Sequence, residues 1–205
     1  MEKIKRIGIM GGTFNPIHRG HLALAAAAKK AFRLERIIFI PSGTPPHKKP
    51  GEVLDKEIRY RLVKMAIRGK KKYYLSRIEL DRPGYSYAVD TFITLKKLFG
   101  PNAKLYYIMG LDSINELLSW RKPLELFKLC EFIIGTRPGS KIRSFRRLLK
   151  FPPLQKEADK LNLIELKEAI SASDIRRRIK EGRGTGRLVP KVVAGYIAKK
   201  GLYKG

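Results

Sequence analysis

Short apolar runs alternate with amphipathic stretches along this chain of 205 residues. The runs have the composition of strands, and the predicted strands cover residues 6–10, 36–41, 73–80, 103–110, 130–137 and 161–166. Apolar residues at helical spacing predict helices over residues 21–32, 54–67, 86–99, 113–120, 173–182 and 190–201. Strands and helices in this alternation form a parallel sheet covered on both faces, so the sequence predicts a doubly wound α/β fold.

The length fits a single domain over residues 1–205, with a helical closing portion at about 167–205. The first residues, MEKIKRIGIMGG, lack the apolar core of a secretion signal, and no apolar run nears the roughly 20 residues that span a bilayer. The single cysteine, Cys130, lies among apolar residues and indicates a packed thiol. We therefore expect a cytoplasmic protein that does not act at a membrane.

The charge is strongly positive, because 45 Lys and Arg residues against 18 Asp and Glu residues give a formal net charge of +27. Such a protein attracts polyanions, so nucleic acid and small phosphorylated substrates are both candidate partners. A lysine-rich surface that favours solubility or stability at high temperature is a third interpretation. The basic residues are dispersed, with local crowding at 141–150 and 176–187. This dispersion disfavours a dedicated nucleic-acid arm, so we expect no specific nucleic-acid partner.

Unusual local sequences fall where the predicted strands end. Ligands of open parallel sheets bind beyond the carboxyl ends of the strands, so we expect the functional site at this edge. The segments concerned are residues 10–15, 42–48, 81–86, 110–112 and 136–139.

The run GIMGGTFNPIHRGH, residues 8–21, joins the first strand to the first helix. Backbone amides and a helix N-terminus at such a corner can face an anion. The glycine spacing fits neither the dinucleotide-binding fingerprint nor the P-loop. Two imidazoles remain, His18 and His21, and their residue types allow a metal pair, donors to phosphate oxygens, or capping and core histidines.

GGTFNPIHRGH resembles the signature of the nucleotidyltransferases that carry an H-x-G-H motif. Five further segments resemble one branch, the bacterial nicotinate-nucleotide adenylyltransferase family: PPHK (45–48), RPGYSYAVDT (82–91), MGLDSINELLSW (109–120), ISASDIR (170–176) and VPKVVAGYIAKKGLY (189–203). The resemblance implies a Rossmann-like fold of the nucleotidyltransferase type. It also implies transfer of the adenylyl group of ATP to nicotinate mononucleotide, which gives deamido-NAD and pyrophosphate in NAD biosynthesis. A phosphopantetheine or cytidylyl transferase is the alternative that Trp120 and the PPHK and GYSYAVDT segments disfavour.

The resemblance further implies an ATP site made of Gly12, Thr13, Phe14, His18, His21, Gly110, Asp112, Ser171, Ser173 and Arg176. The catalytic residues among these would be His18, His21 and Arg176, which would contact phosphate oxygens. The attacking phosphate is already an anion, so positioning and charge stabilisation replace a general base. Asp112 would accept the ribose hydroxyls. Ser171 and Ser173 are also typical N-cap residues for the helix that follows.

For nicotinate mononucleotide the resemblance implies His47, Lys48, Ser86, Tyr87, Trp120 and Arg137. The amides at the predicted helix start would receive the nicotinate carboxylate, and Trp120 would stack on the pyridine ring. From the residues alone, a packed core tryptophan is the alternative. Mg²⁺ would be bound mainly through the ATP phosphates, and no protein metal site is expected. The sequence leaves the oligomeric state open, and a homo-oligomer is compatible with it.

Overall fold

The computed structural model describes residues 5–49, 51–136, 150–167 and 170–204. A six-stranded parallel sheet forms its centre, in the order β3-β2-β1-β4-β5-β6. The strands are β1 (Lys5–Gly12), β2 (Arg36–Pro41), β3 (Tyr73–Leu75), β4 (Ala103–Gly110), β5 (Glu131–Thr136) and β6 (Leu161–Glu165). The order confirms the predicted doubly wound class. It also makes β1 and β4 neighbours at the point where the winding reverses, and ligands of such sheets bind there.

Helices cover both faces of the sheet. One apolar layer joins it to the first two and the last two helices: α1 (Arg19–Ala31), α2 (Lys56–Ile67), α7 (Ala172–Lys180) and α8 (Lys191–Lys199). The other layer takes in α3 (Ala88–Phe99), α4 (Leu111–Asn115), α5 (Pro123–Leu129) and α6 (Pro152–Gln155). Short 3₁₀ turns lie at Leu117–Ser119 and Ala158–Lys160.

Successive strand residues enter opposite layers, as the period of a strand requires. In β1, Ile7 and Ile9 pack on the side of α3, and Met10 packs on the side of α1. Cys130 is buried in the layer that contains α3, and burial raises the pKa of its thiol. The prediction of a packed thiol is confirmed.

The third strand is shorter than predicted. The pattern of residues 73–80 favours a strand, but β3 ends at Leu75. The N–H of Ser76 still donates to the carbonyl of Phe39 at 3.0 Å, and the N–H of Asp81 then closes a turn on the carbonyl of Arg77 at 2.9 Å. Because β3 lies at the edge of the sheet and has one neighbour, the chain that follows it can turn away towards α3.

The helix predicted over residues 86–99 begins two residues later, at Ala88. Ser86 is held outside the helix because its N–H donates to the carbonyl of Thr44 at 2.9 Å. Tyr87 becomes the N-cap residue, with an extended backbone. Tyr87 therefore opens the helix as its N-cap, and the prediction that Ser86 also opens it is wrong.

The stretch predicted as a helix over residues 113–120 is divided in two. Its first part belongs to α4, which starts at Leu111, and its second part is the 3₁₀ turn that ends before Trp120. The sequence analysis missed α5, whose start is marked by Pro123 in its first turn.

One charged side chain lies in the core-facing stripe of α2. Arg59 is only 1% exposed and occupies the face that also carries Leu62, Val63 and Ala66. Its guanidinium donates four hydrogen bonds of 2.7–2.9 Å, to the carbonyl oxygens of Thr13, Ser42, Gly43 and Leu54. These oxygens belong to the loops after β1 and β2 and to the segment before α2, so one side chain fixes all three.

Arg59→Leu should lower the free energy of unfolding by about 3 kcal/mol or more, because each buried carbonyl left unpaired costs about 1–3 kcal/mol. Urea denaturation followed by circular dichroism measures the change. Arg61→Leu is the matched control, since Arg61 is exposed on the same helix, and it should alter stability by less than about 1 kcal/mol. Equal losses in the two variants would contradict the role given to Arg59.

Candidate functional site

A cavity of about 330 Å³ lies at the carboxyl ends of β1, β2 and β4. Its wall combines the end of β1, the loop that follows β2, the start of α3, and the segment from α4 to Trp120. The predicted site residues that line it are Gly12, Thr13, His47, Lys48, Ser86, Tyr87, Asp112 and Trp120. The fold therefore brings together residues from four separate predicted segments, at the edge of the sheet where the sequence analysis expects them.

The two histidines of the opening motif cap α1 together. The N–H of His21 donates to Nδ1 of His18 at 3.3 Å, and the N–H of His18 donates to Nδ1 of His21 at 3.2 Å. Their rings stack with centroids 3.6 Å apart. Because both Nδ1 atoms accept, the ring proton of each neutral imidazole lies on Nε2. Capping and donation to a phosphate are therefore compatible roles for the same two rings.

The chain just before these histidines makes a sharp bend. Phe14 has a left-handed backbone, with φ of 49°, and its ring is buried. The ring stands edge-on to His21, with centroids 5.1 Å apart. Thr13 is held from behind through its carbonyl, which accepts from Arg59 at 2.9 Å. The bend thus places Phe14 under the imidazole of His21 and leaves Gly12 and Thr13 at the cavity wall.

The N-terminus of α7 is capped by Ser171, whose Oγ accepts from the N–H of Asp174 at 3.1 Å. Ser173 is not a cap, because it lies in the first turn of the helix. The hydroxyls of Ser171 and Ser173 are 3.1 Å apart. Two hydroxyls thus stand together at a helix N-terminus, which is an arrangement that suits an anion.

This helix end meets the corner of the opening motif. Nη1 of Arg176 donates to the carbonyl of Asn15 at 2.8 Å, across 161 residues of sequence. Gly20 is tightly packed at the contact, since a Cβ there would lie 3.0 Å from Nδ1 of His18 and 3.4 Å from Cβ of Ile170. The N-termini of α1 and α7 therefore converge, and their partial positive charges add to the charge of Arg176.

Gly110 and Asp112 lie at the end of β4, as predicted. Gly110 is the last residue of the strand and pairs with Gly135 of β5. Asp112 follows in the first turn of α4, where its carboxylate is exposed and lines the cavity. A carboxylate at this position is accessible to hydroxyl groups of a ligand.

The opposite wall carries the loop residues and the tryptophan. His47 and Lys48 are exposed on the segment between β2 and α2. Trp120 is half-buried, and its ring centroid lies 6.0 Å from that of Tyr107. Since Trp120 also lines the cavity, it is not enclosed in the core. The side chain of Trp120 is thus accessible to a ligand in the cavity.

The start of α3 forms another part of the wall. The amide of Ser86 is already bonded to Thr44, and its Oγ accepts from the N–H of Gly43 at 2.9 Å. Within the described residues, no side chain caps α3. Because the amide of Ser86 is taken, the amides that this helix start can offer a ligand are those from Tyr87 onward. Arg137, the remaining predicted residue, lies outside the described residues.

Comparison with known proteins decides the family. A family model described as cytidylyltransferase-like matches residues 9–178. A probable nicotinate-nucleotide adenylyltransferase of Moorella thermoacetica is 42% identical over 200 residues, which are 97% of this chain and 92% of the relative. Another, of Thermoanaerobacter sp., is 43% identical over 206 residues, which are 100% and 97% of the two chains. The chain belongs to the nicotinate-nucleotide adenylyltransferase family.

The solved structures agree in fold. Plasmodium falciparum nicotinic acid mononucleotide adenylyltransferase, in structures complexed with APC and with NaAD, matches with a TM-score of 0.76. The match covers 97% of each chain at 22% identity. The resemblance stated from the motifs, the Rossmann-like nucleotidyltransferase fold and the family are thus confirmed.

Some residues of this family member's site were missed from sequence. Glu79 and Tyr107 line the cavity, as does Arg121, whose guanidinium lies 4.9 Å above the ring of Tyr87. A charged residue inside an apolar run is the one signal that could have indicated Glu79. Burial raises its pKa, and burial together with the charge of Glu79 raises the pKa of Tyr107.

Metal-ligand groups and membrane-spanning helices are two further features to consider in the described residues. In residues 5–49, 51–136, 150–167 and 170–204, no group of three or more His, Cys, Asp and Glu side chains is placed to hold a metal ion. Among the helices of these same ranges, none is long and apolar enough to cross a membrane.

Proposed function

We propose that this chain transfers the adenylyl group of ATP to nicotinate mononucleotide and so forms deamido-NAD and pyrophosphate in NAD biosynthesis. The observation that carries this function is the meeting of two helix N-termini and two imidazoles beside a cavity with an aromatic wall. The helix N-termini with the imidazoles suit a polyphosphate, and the cavity with its aromatic wall suits a pyridine nucleotide. The names of the relatives, and the NaAD complex of the structural neighbour, support this choice of substrates.

The phosphates of ATP would lie at the corner between α1 and α7. There the Nε2–H groups of His18 and His21 would donate to oxygens of the α- and β-phosphates, and Arg176 would contact the β- and γ-phosphates. Ser171 and Ser173 at the start of α7 would take the β- and γ-phosphates, and the amides of Gly12, Thr13 and Phe14 would lie along the chain of phosphates. Every one of these groups is a donor, which suits a ligand of high negative charge.

The nucleoside of ATP would extend towards the end of β4. Asp112 would accept hydrogen bonds from the ribose hydroxyls, and Gly110, which has no side chain, would leave room beside the strand. The carboxylate is suited to this role because a single acceptor group can pair with two neighbouring hydroxyls.

Nicotinate mononucleotide would occupy the cavity. His47 and Lys48 on the loop would contact its phosphate, and Trp120 would stack on the pyridine ring. The start of α3 would take the nicotinate carboxylate through the amides from Tyr87 onward, with Tyr87 at the cap and Ser86 holding the turn in place. Arg137 is kept as a further candidate for contact with this nucleotide.

The reaction is a displacement at phosphorus. A phosphate oxygen of the mononucleotide forms a bond to the α-phosphorus, and the bond from that phosphorus to the bridging oxygen breaks. The electron pair leaves with pyrophosphate, and no proton has to be removed from the nucleophile. The donors at the corner stabilise the charge that develops on the α-phosphate and on the leaving group.

Mg²⁺ is proposed as the cofactor. The ion would be held mainly by the phosphates and water, as Mg²⁺ commonly is in sites that bind a triphosphate. When bound, the ion would neutralise part of the charge on the phosphates. The single-domain organisation over residues 1–205 is also proposed, since Ile175 and Val193 of the last two helices share a core layer with α1 and α2.

Pyrophosphate release from ATP, measured with nicotinate mononucleotide and with nicotinamide mononucleotide in turn, tests the function. We expect release with both Mg²⁺ and nicotinate mononucleotide present, and a several-fold lower kcat/KM with the amide form. Equal or greater kcat/KM with the amide form would contradict the proposed acceptor. The absence of release with either mononucleotide would contradict the proposed transfer.

His21→Ala should lower kcat by about 10²-fold or more, because a donor to charge in the transition state is lost. The fold should be retained, and thermal unfolding checks this. His21→Glu is the matched variant: a glutamate at this position completes an ordinary capping box but offers no donor. If His21→Glu recovers normal kcat, the histidine acts as a cap and not on the phosphates.

Trp120 should report on the mononucleotide. It is the only tryptophan in the chain, so its fluorescence should be quenched by nicotinate mononucleotide and change little with ATP alone. Trp120→Ala should raise KM for the mononucleotide several-fold and leave KM for ATP nearly unchanged, since an aromatic pair is worth about 0.5–1.5 kcal/mol. Trp120→Phe keeps a stacking face and should show a smaller increase. Early melting with normal binding of the mononucleotide would instead place Trp120 in the core.

A further inference from the structure

A buried carboxylate stands in the wall of the cavity. Glu79 lines it yet is only 8% exposed, whereas the other lining carboxylates of the described part, Asp112 and Glu116, are exposed. The segment that carries Glu79 packs closely on the loop after β2, because a Cβ at Gly43 would collide with the carbonyl oxygen of Glu79. The side chain is therefore held in place on a fixed backbone.

Two hydroxyl groups hold the carboxyl of Glu79. Oγ1 of Thr91 donates to Oε1 at 2.7 Å, and Ser86 is a second hydrogen-bond partner. The direction of both bonds follows from their neighbours. Thr91 accepts from Nη2 of Arg82 at 3.0 Å, and Ser86 accepts from the N–H of Gly43, so both hydroxyls are placed to donate to the carboxyl. The carbonyl of Tyr87 is a second and longer acceptor for Thr91, at 3.3 Å against 2.7 Å to Glu79.

These partners are residues of the helix start that the proposed function assigns to the nicotinate carboxylate. Ser86 lies just before α3, and Thr91 lies in its first turns. The ligand group and Glu79 would thus be two carboxylates beside one helix end. Like charges in a site of low dielectric repel, and such pairs are stable only when one member is protonated.

The surroundings of Glu79 act in opposite directions. Burial raises its pKa, while the hydrogen bonds from Thr91 and Ser86 and the charge of Arg82 lower it in part. From β4 the neighbour is Tyr107, which burial keeps in the neutral form. The charged or titratable groups elsewhere in the cavity wall are His47, Lys48, Tyr87, Asp112, Glu116 and Arg121.

We propose that Glu79 determines specificity for the acid form of the mononucleotide. Nicotinate binds when Glu79 is a neutral carboxylic acid that can donate a hydrogen bond, with its proton taken from solvent. Ionised Glu79 repels nicotinate and can accept a hydrogen bond from a carboxamide. The proposal rests on the proposed function, because it takes nicotinate mononucleotide as the acceptor.

The test is the ratio of kcat/KM for nicotinate mononucleotide to kcat/KM for nicotinamide mononucleotide, measured from pH 4.5 to 9.5. The two substrates share phosphate, ribose and ATP partner, so effects common to both cancel in the ratio. In the native protein the ratio should be constant at low pH and then fall by about tenfold per pH unit once Glu79 ionises. Glu79→Gln, a neutral donor of the same size, should give a ratio that does not change with pH.

Two further variants make the result specific. Thr91→Val removes a hydrogen bond that favours the ionised form, so the fall should move to higher pH. Glu116→Gln is the matched control, because it removes another carboxylate of the same wall, and the fall should remain in place. Thermal unfolding of each variant checks the fold.

A ratio independent of pH in the native protein, or a fall that persists in Glu79→Gln, would overturn the role of Glu79. Both of these results are compatible with a protein that is active in adenylyl transfer. Absence of transfer to both mononucleotides would instead overturn the proposed function, so the two failures are distinguishable.

Discussion

The guanidinium of Arg59 holds together three loops that meet above the sheet. All four of its hydrogen bonds go to backbone carbonyls, so they fix the course of the chain whatever side chains the loops carry. A cation buried at 1% exposure is stable only when its nitrogens are paired in this way. Thr13, at one of these carbonyls, begins the bend that leads to the histidine cap. Gly43, at another, is packed against Glu79. The corner and the cavity wall therefore share one support.

The histidine cap solves two problems with the same atoms. The start of α1 needs acceptors for its first N–H groups, and a phosphate site needs donors. Nδ1 of each ring serves the helix, so the proton of a neutral ring lies on Nε2, where it can act as a donor. A serine or aspartate cap would satisfy the helix but supply no second donor of that reach. The stacked pair, 3.6 Å apart, is thus set in orientation and in tautomer before any ligand arrives.

Features that depend on residues close together in the sequence could be predicted, and features that depend on contacts between distant residues could not. The strands and helices near the opening motif depend on local patterns, and the structure confirms them. Residues predicted for the site at the strand ends line one cavity there. The start of α3 was misplaced because the bond from Ser86 to Thr44 spans separate segments, and the end of β3 was misplaced because the chain turns away after Leu75 at the edge of the sheet. Arg59 was missed for the same reason, since its partner Thr13 is 46 residues away. The order of the motifs indicated the family. The place of Arg176 beside the opening motif depends on its contact with Asn15, across 161 residues of sequence.

Glu79 shows how the site affects the stability of the fold. Burial raises the pKa of its carboxyl above the value in the unfolded chain, so the folded state holds the proton more tightly. Its favourable contribution is complete below the ordinary pKa of a glutamate, about 4.3, and is lost as pH rises through the folded-state pKa. A leucine there would avoid this loss but would remove the carboxyl acceptor of the Ser86 and Thr91 hydroxyls, and Thr91 would keep only its longer bond to the carbonyl of Tyr87, at 3.3 Å. The two hydroxyls at the start of α3 are thus paired with the carboxyl of Glu79, and the cavity wall keeps a carboxyl group whose charge depends on pH.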